Sequence, residues 1–154
     1  DKKQELPQRV KYFEKGKHNV AALKAAYADL DEAMQLARGD EAVLARIDHL
    51  RMYVHYLFLR SQLEQAIASG DEKEILAAIG EETTYGGRLT YTNMIHTRPL
   101  LGKAFLRRFR RQAALLENHP PAQQKTGDWR KIGAPPSREE LDELWAKDKQ
   151  KLDG

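Results

Sequence analysis

The fold is decided by one stretch of sequence, Met52-Tyr53-Val54-His55-Tyr56-Leu57-Phe58-Leu59. On a helix, this stretch is apolar on nearly every side, and a helix of that kind is usually buried by its neighbours. We therefore predict an all-α fold, a bundle of four to five amphipathic helices. The helix that contains this stretch is expected to be the central one.

Signals for the ends of this central helix stand on both sides of the stretch. Gly39 suits the left-handed residue that follows a helix, and Asp40 can cap the helix that comes next. Gly70 and Asp71 repeat the same pattern further along the chain. Short connections make consecutive helices antiparallel neighbours. The predicted helices cover about 7–38, 41–69 and 72–97.

An adjacent glycine pair, Gly86 and Gly87, interrupts the third of these helices. Two glycines cost a helix about 2 kcal/mol relative to alanines. Either the helix breaks at the pair, or a neighbouring element packs so closely there that side chains do not fit. The sequence leaves both alternatives open.

The last third of the chain predicts two further helices with an irregular segment between them. Pro99 suits the first turn of a helix over about 99–117. The segment 118–137 shows no periodicity and predicts an extended loop. Ser137 opens a sequence of the capping-box type, which predicts a last helix over about 138–152.

The composition predicts one folded, soluble domain that spans residues 1–154. The chain is 41% hydrophobic and 32% charged, and it contains no cysteine, which excludes disulfides and thiolate metal sites. No run approaches the roughly 18 apolar residues of a membrane-spanning helix, so no membrane contact is predicted. A net charge of +3 gives little support for an anionic partner.

The first residues of the sequence bear on whether the chain belongs to a longer protein. It starts at Asp1, with neither an initiator methionine nor a signal-peptide pattern. We therefore expect the chain to be a processed or excised part of a longer protein. The compartment is not predicted by this terminus.

Polar and aromatic residues beside the glycine pair form the first candidate binding or interface surface. They are Tyr85, Arg88, Tyr91, Asn93, His96 and Arg98. Arginines can hold a carboxylate, and a histidine can act as a general acid or base. The competing interpretation is that these side chains face solvent or satisfy buried backbone groups, since no spacing here is diagnostic.

A basic face is the second candidate surface. On a helix, one side would carry Lys103, Arg107, Arg110 and Arg111. Such a face could dock phosphate, but a nucleic-acid surface needs more charge together with exposed aromatic residues. We therefore favour a solvated face or an ion-paired domain contact over nucleic-acid binding.

No motif in the sequence nominates a reaction. The histidines lack the spacing that aligns metal ligands on one helix face, and no phosphate-binding loop, nucleophile elbow or dinucleotide fingerprint is present. We predict no catalytic residue, no metal site and no cofactor in this chain.

Three stretches carry a resemblance to a known family. They are Leu30-Asp31-Glu32-Ala33, Arg46-Ile47-Asp48-His49-Leu50-Arg51-Met52-Tyr53-Val54-His55-Tyr56-Leu57 and Thr92-Asn93-Met94-Ile95-His96-Thr97-Arg98-Pro99-Leu100. In this order they resemble the helical C-terminal region of an uncharacterised bacterial family of α-glucuronidase-like glycoside hydrolases. In that family the helical region follows a catalytic barrel.

The resemblance implies a non-catalytic accessory domain packed against a sugar-processing barrel, with 91–98 as its contact. The catalytic acids and any carbohydrate would then belong to the parent protein, outside the cytoplasm if that protein is secreted. Two alternatives stay open. The chain could be an independent helical module that binds a protein or, with less support, nucleic acid. It could also be a small enzyme that uses His96 with Tyr91 and Arg98.

Overall fold

The computed structural model describes residues 20–89, residue 92 and residues 134–154. These residues form four helices: α1 (Val20–Leu36), α2 (Glu41–Ser69), α3 (Glu72–Leu89) and α4 (Arg138–Asp153). The described part contains no strand, which confirms the all-α prediction. The predicted start of the first helix, the helix over 99–117 and the loop up to residue 133 lie outside the described residues.

α2 is the centre of the arrangement. It packs against each of the other three helices, and α1 also contacts α4. Most side chains of its middle are buried, including Val54, Tyr56, Phe58 and Leu59, whereas Tyr53 is 43% exposed. The prediction of a central helix around this stretch is confirmed, because a helix apolar on every side needs neighbours on every side.

Both ends of α2 are capped by the residues that the sequence marks. The carboxylate of Asp40 accepts a hydrogen bond from the Val43 amide at 3.0 Å. Gly70 adopts the left-handed conformation, and its amide donates to the Ala66 carbonyl at 3.2 Å. Asp71 then accepts from the Lys73 amide at 2.8 Å, so α3 begins at once. Because both turns are short, α2 runs antiparallel to α1 and to α3.

The glycine pair does not break α3, which continues through Gly86 and Gly87 to Leu89. A Cβ atom added at Gly86 would lie 3.5 Å from Cε2 of Tyr56, an ordinary van der Waals contact. α3 therefore packs closely on α2 at this point, but the space still accepts a methyl group.

The main core joins all four helices. Its buried aromatic members come from every one of them: Tyr27 of α1, Tyr56 and Phe58 of α2, Tyr85 of α3 and Trp145 of α4. A second, smaller cluster lies between the C-terminal half of α2 and the first turns of α3; its buried members are Leu63, Ala66, Ile75 and Ile79.

α4 starts where the capping signal predicts. The Ser137 hydroxyl accepts a hydrogen bond from the Glu140 amide at 3.3 Å, and the helix ends at Asp153. Its buried side chains are Leu141, Trp145 and Asp148, one of which is a carboxylate. Leu144 and Leu152 also pack against the main core while partly exposed, so α4 is attached by apolar contacts together with a buried carboxylate.

No helix in the described ranges combines the length and apolar character needed to cross a membrane.

Two glycine substitutions should have opposite effects on stability. Gly70 lies at φ 77° with no atom within 4 Å of an added Cβ, so Gly70→Ala costs only backbone energy. We expect it to lower the free energy of unfolding by about 1 kcal/mol. Gly86→Ala removes a helix-interior glycine and should raise that free energy by about 1 kcal/mol. Urea denaturation of both variants measures the difference, and changes of the same sign would contradict this account.

Candidate functional site

The densest polar arrangement in the described residues is the junction between α4 and the other helices. Its centre is the buried carboxylate of Asp148, which is 3% exposed. Asp148 accepts a hydrogen bond from the Tyr27 hydroxyl at 2.5 Å and is also bonded to Nδ1 of His55. One carboxylate therefore ties α4 to α1 and to α2.

The hydrogen-bonding roles in this group follow from its chemistry. A carboxylate only accepts, so Nδ1 of His55 carries the hydrogen that faces Asp148. Burial, reinforced by the charge of Asp148, raises the pKa of Tyr27 far above its ordinary value. The Tyr27 hydroxyl therefore remains protonated and remains a donor.

Arg51 is the second buried charge of the junction, with 2% of its surface exposed. Its guanidinium group donates to Asp48 at 3.1 Å and to Asp142 of α4 at 2.6 Å. It also lies 5.1 Å from the centre of the Trp145 ring, within the range of a cation–π contact. A buried arginine costs free energy unless it is paired, and α4 supplies part of that pairing.

Trp145 is held in place both at its indole N–H group and at the face of its ring. Its indole nitrogen donates to Asp31 of α1 at 2.7 Å, and Asp31 also accepts from Lys149 at 2.7 Å. The Trp145 ring stacks on Tyr27 with 3.9 Å between centroids. The indole donor is thereby satisfied where the ring is buried.

Ion pairs at the beginning of α4 complete the junction. Arg88 donates to both carboxylate oxygens of Glu140, at 2.5 and 2.7 Å, and to the Ala134 carbonyl at 2.8 Å. The hydrogen bonds from Arg88 lower the pKa of Glu140 below its ordinary value. Arg138 reaches back to Asp48 at 2.7 Å and to Glu41 at 2.9 Å.

Of the first predicted surface, the structure describes Tyr85 and Arg88. Both serve helix packing: the buried Tyr85 hydroxyl donates to the Met52 carbonyl at 3.2 Å, and Arg88 holds Glu140. Burial raises the pKa of Tyr85. The other predicted surface residues lie outside the described part of the chain, namely Tyr91, Asn93, His96, Arg98, Lys103, Arg107, Arg110 and Arg111.

Apart from Arg88, which was expected at a binding surface, the sequence analysis did not single out the side chains that form the junction. His55 does leave a signal, because it is a polar residue inside the apolar stretch of α2, and Arg51 directly precedes that stretch. Asp148 leaves none, since it stands in a helix rich in charge and its two partners are 93 and 121 residues away.

A cleft of about 620 Å³ opens between α3 and α4, next to the junction. We call it the α3/α4 cleft. Its floor is formed by α2 residues, His55 and Phe58 among them. Thr84 and Tyr85 line it from α3, and Leu144 and Asp148 from α4. Asp148 therefore belongs both to the junction and to the wall of the cleft.

Comparison with known proteins gives no match to a family model, to a curated protein or to a solved structure.

Replacing Asp148 tests the centre of the junction. Asp148→Ala leaves the Tyr27 hydroxyl and the His55 ring buried without their acceptor, and should lower the free energy of unfolding by about 3 kcal/mol. The control is Asp153→Ala on the same helix, where a 75% exposed carboxylate pairs with Lys24. That change should cost less than about 1 kcal/mol. Similar losses for the two variants in urea denaturation would refute the central role of Asp148.

The Arg88–Glu140 pair predicts a pH dependence. Because the pKa of Glu140 is lowered in the folded protein, the pair stabilises above the ordinary glutamate value and loses its effect as pH falls through the folded pKa. Glu140→Gln should therefore melt at a lower temperature than the parent at neutral pH, and this difference should shrink below about pH 4. Glu143→Gln, an exposed change on the same helix, is the control. A difference that stays constant with pH would count against the pair.

Proposed function

We propose that this chain is a non-catalytic helical accessory domain of a carbohydrate-processing, glycoside hydrolase-like protein. It packs against a partner domain of that protein through the outer side of the hairpin formed by α1 and α2. The observation that carries this proposal is a group of exposed apolar side chains on that side, which we call the outer strip. Its members are Leu36, Val43, Leu50 and Tyr53.

The outer strip is a surface that a partner would bury. Leu36 is 81% exposed at the end of α1, and Leu50 and Tyr53 are 47% and 43% exposed on α2. Residues seven and three positions apart on a helix share one side, so Val43, Leu50 and Tyr53 line up along α2. Neighbouring exposed apolar side chains mark protein contacts more often than single ones do.

The position of the strip favours a domain contact. The other sides of α2 already hold the core between α1, α3 and α4. Covering the outer strip would bury the side of α2 that α1, α3 and α4 leave exposed, and tyrosine is enriched in such contacts. Arg46 lies on the same side and is exposed, which suits the polar rim of an interface.

The use of the buried polar groups supports a structural role. His55 and Asp148 are the groups most capable of proton transfer in the described core, and they bond to each other and to Tyr27. Arg51 is held between Asp48 and Asp142. These side chains connect helices to one another, and this is a structural role.

The carbohydrate part of the proposal rests on the family resemblance. Within the described residues, the resembling stretches fall on α1 and on the first half of α2, from Arg46 to Leu57. That half of α2 carries both the buried polar residues and part of the outer strip. An independent protein-binding module would use the same strip, and it differs from the proposal only in the identity of the partner.

Binding to the neighbouring domain tests the proposal. The chain should bind the separately expressed catalytic domain of the same reading frame, as measured by calorimetry. Leu50→Glu combined with Tyr53→Glu should weaken this binding about tenfold or more, because charge would enter a buried apolar contact. Val20→Glu is the matched control, since Val20 is a 37% exposed apolar residue at the start of α1, sixteen positions from Leu36 and therefore on the opposite side of that helix.

Three results would overturn the proposal. The first is a strip variant that binds as well as the parent. The second is hydrolysis of glycosides by the isolated chain. The third is a complete reading frame without a catalytic domain, which would leave the independent protein-binding module.

A further inference from the structure

The α3/α4 cleft has the size and lining of a small-molecule site. Its volume of about 620 Å³ lies within the range of roughly 300–1,000 Å³ found for ligand pockets. Apolar side chains contribute from all three helices, with Phe58 and Leu59 on α2, Ala77 on α3 and Leu144 on α4. A ligand with an apolar body would fit such a lining.

His55 presents an unused hydrogen-bond acceptor to this cleft. Because Nδ1 carries the hydrogen that faces Asp148, Nε2 of the neutral ring holds a lone pair and can only accept. Within the described residues, the side-chain atoms that are both enclosed and unpaired belong to Arg51, Arg60 and Thr84. Nε2 of His55 has no partner there and is not among the enclosed atoms, so it is accessible. Since the His55 ring lines the cleft, a ligand in the cleft can reach this nitrogen.

The neighbours of His55 fix the direction of this acceptor. The ring is 4% exposed, and Asp148 holds its Nδ1 side. The Tyr85 ring packs against it at 80°, with 4.5 Å between the ring centroids. Turning the imidazole over would take the donor away from the buried carboxylate, which is costly. A ligand donor that meets Nε2 therefore gains a hydrogen bond without having to order the protein group.

The charges of the lining favour a neutral donor group. Two of the charged side chains, Arg88 and Asp148, are already paired in the junction. Lys147 and Lys151 lie one turn apart on α4, and Glu81 stands across from them on α3. An ammonium group would be repelled by the two lysines, and a carboxylate would bring only acceptors to the lone pair of Nε2. A hydroxyl group can donate without carrying a charge.

The same features exclude two other occupants. A sugar has hydroxyl groups on every side, and an apolar lining would leave most of them without partners. An apolar helix of another protein would cover Phe58 and Leu144 but would bring no donor to Nε2 of His55. A single hydroxyl group on an apolar body matches both the acceptor and the lining.

We propose that the α3/α4 cleft binds a small neutral alcohol with an apolar body. The hydroxyl group donates to Nε2 of His55, and the apolar body covers Phe58 and Leu144. This site is separate from the outer strip, and it does not depend on the partner domain or on the function proposed above.

Titration of the full chain with phenethyl alcohol tests the proposal, at about pH 8, where histidine side chains are ordinarily neutral. Phenethyl methyl ether is the matched ligand, because it loses the donor and keeps the apolar body. Calorimetry should show saturable binding of the alcohol, with a Kd of about 1 mM or tighter. The ether should bind about fivefold more weakly.

Two variants locate the binding in the cleft. His55→Asn keeps an N–H donor for Asp148 and removes the second ring nitrogen, so it should abolish the preference for the alcohol over the ether. Ala77→Phe fills the cleft from an exposed position on α3 and should raise the Kd of the alcohol about tenfold. Ala146→Phe is the matched control, because Ala146 is an exposed alanine of α4 that does not line this cleft; its Kd should equal that of the parent.

Four outcomes would overturn the proposal. They are no saturable binding of the alcohol, equal binding of alcohol and ether by the parent, the parent Kd in Ala77→Phe, and an unchanged preference for the alcohol in a folded His55→Asn variant. Thermal melting shows whether His55→Asn is folded. If it is not, the two ligands and Ala77→Phe still decide, because neither disturbs the buried junction.

Discussion

The buried carboxylate of Asp148 is the interaction on which the rest of the structure depends. It brings together the Tyr27 hydroxyl of α1 and the His55 ring of α2, which belong to helices distant from α4 in sequence. A carboxylate buried away from water is stable only when hydrogen-bond donors surround it. Asp148 therefore needs Tyr27 and His55, and it also holds both side chains in place. Arg51 imposes the same condition from α2, because Asp142 supplies part of its pairing.

This dependence explains how a largely polar helix becomes part of a core. α4 buries Leu141 and Trp145 and packs Leu144 and Leu152 against the core, and the rest of its attachment comes from hydrogen bonds and ion pairs with fixed geometry. Such contacts fix the rotation and register of α4 more strictly than apolar contact would, because a shift by one residue would leave charges buried and unpaired. The cleft beside α4 and the outer strip on α2 both take their shape from this fixed arrangement.

The sequence predicted what depends on local chemistry. Asp40, Gly70 and Ser137 marked helix ends because caps act on neighbouring backbone groups, and the stretch around Phe58 marked the central helix because its pattern is apolar on every side. Long-range pairing was not predictable. Arg88 was expected at a binding surface, yet it holds Glu140, 52 residues away. Nothing near Asp148 in the sequence distinguishes it from the exposed acids of the same helix.

The account makes α4 an integral part of the fold, and native-state hydrogen exchange tests that claim most directly. If the junction holds as described, the slowest amides of α4 exchange with the same opening free energy as those of α2, that of global unfolding. Exchange of every α4 amide at an opening free energy lower by about 2 kcal/mol or more would show that the helix detaches on its own, and would contradict the account.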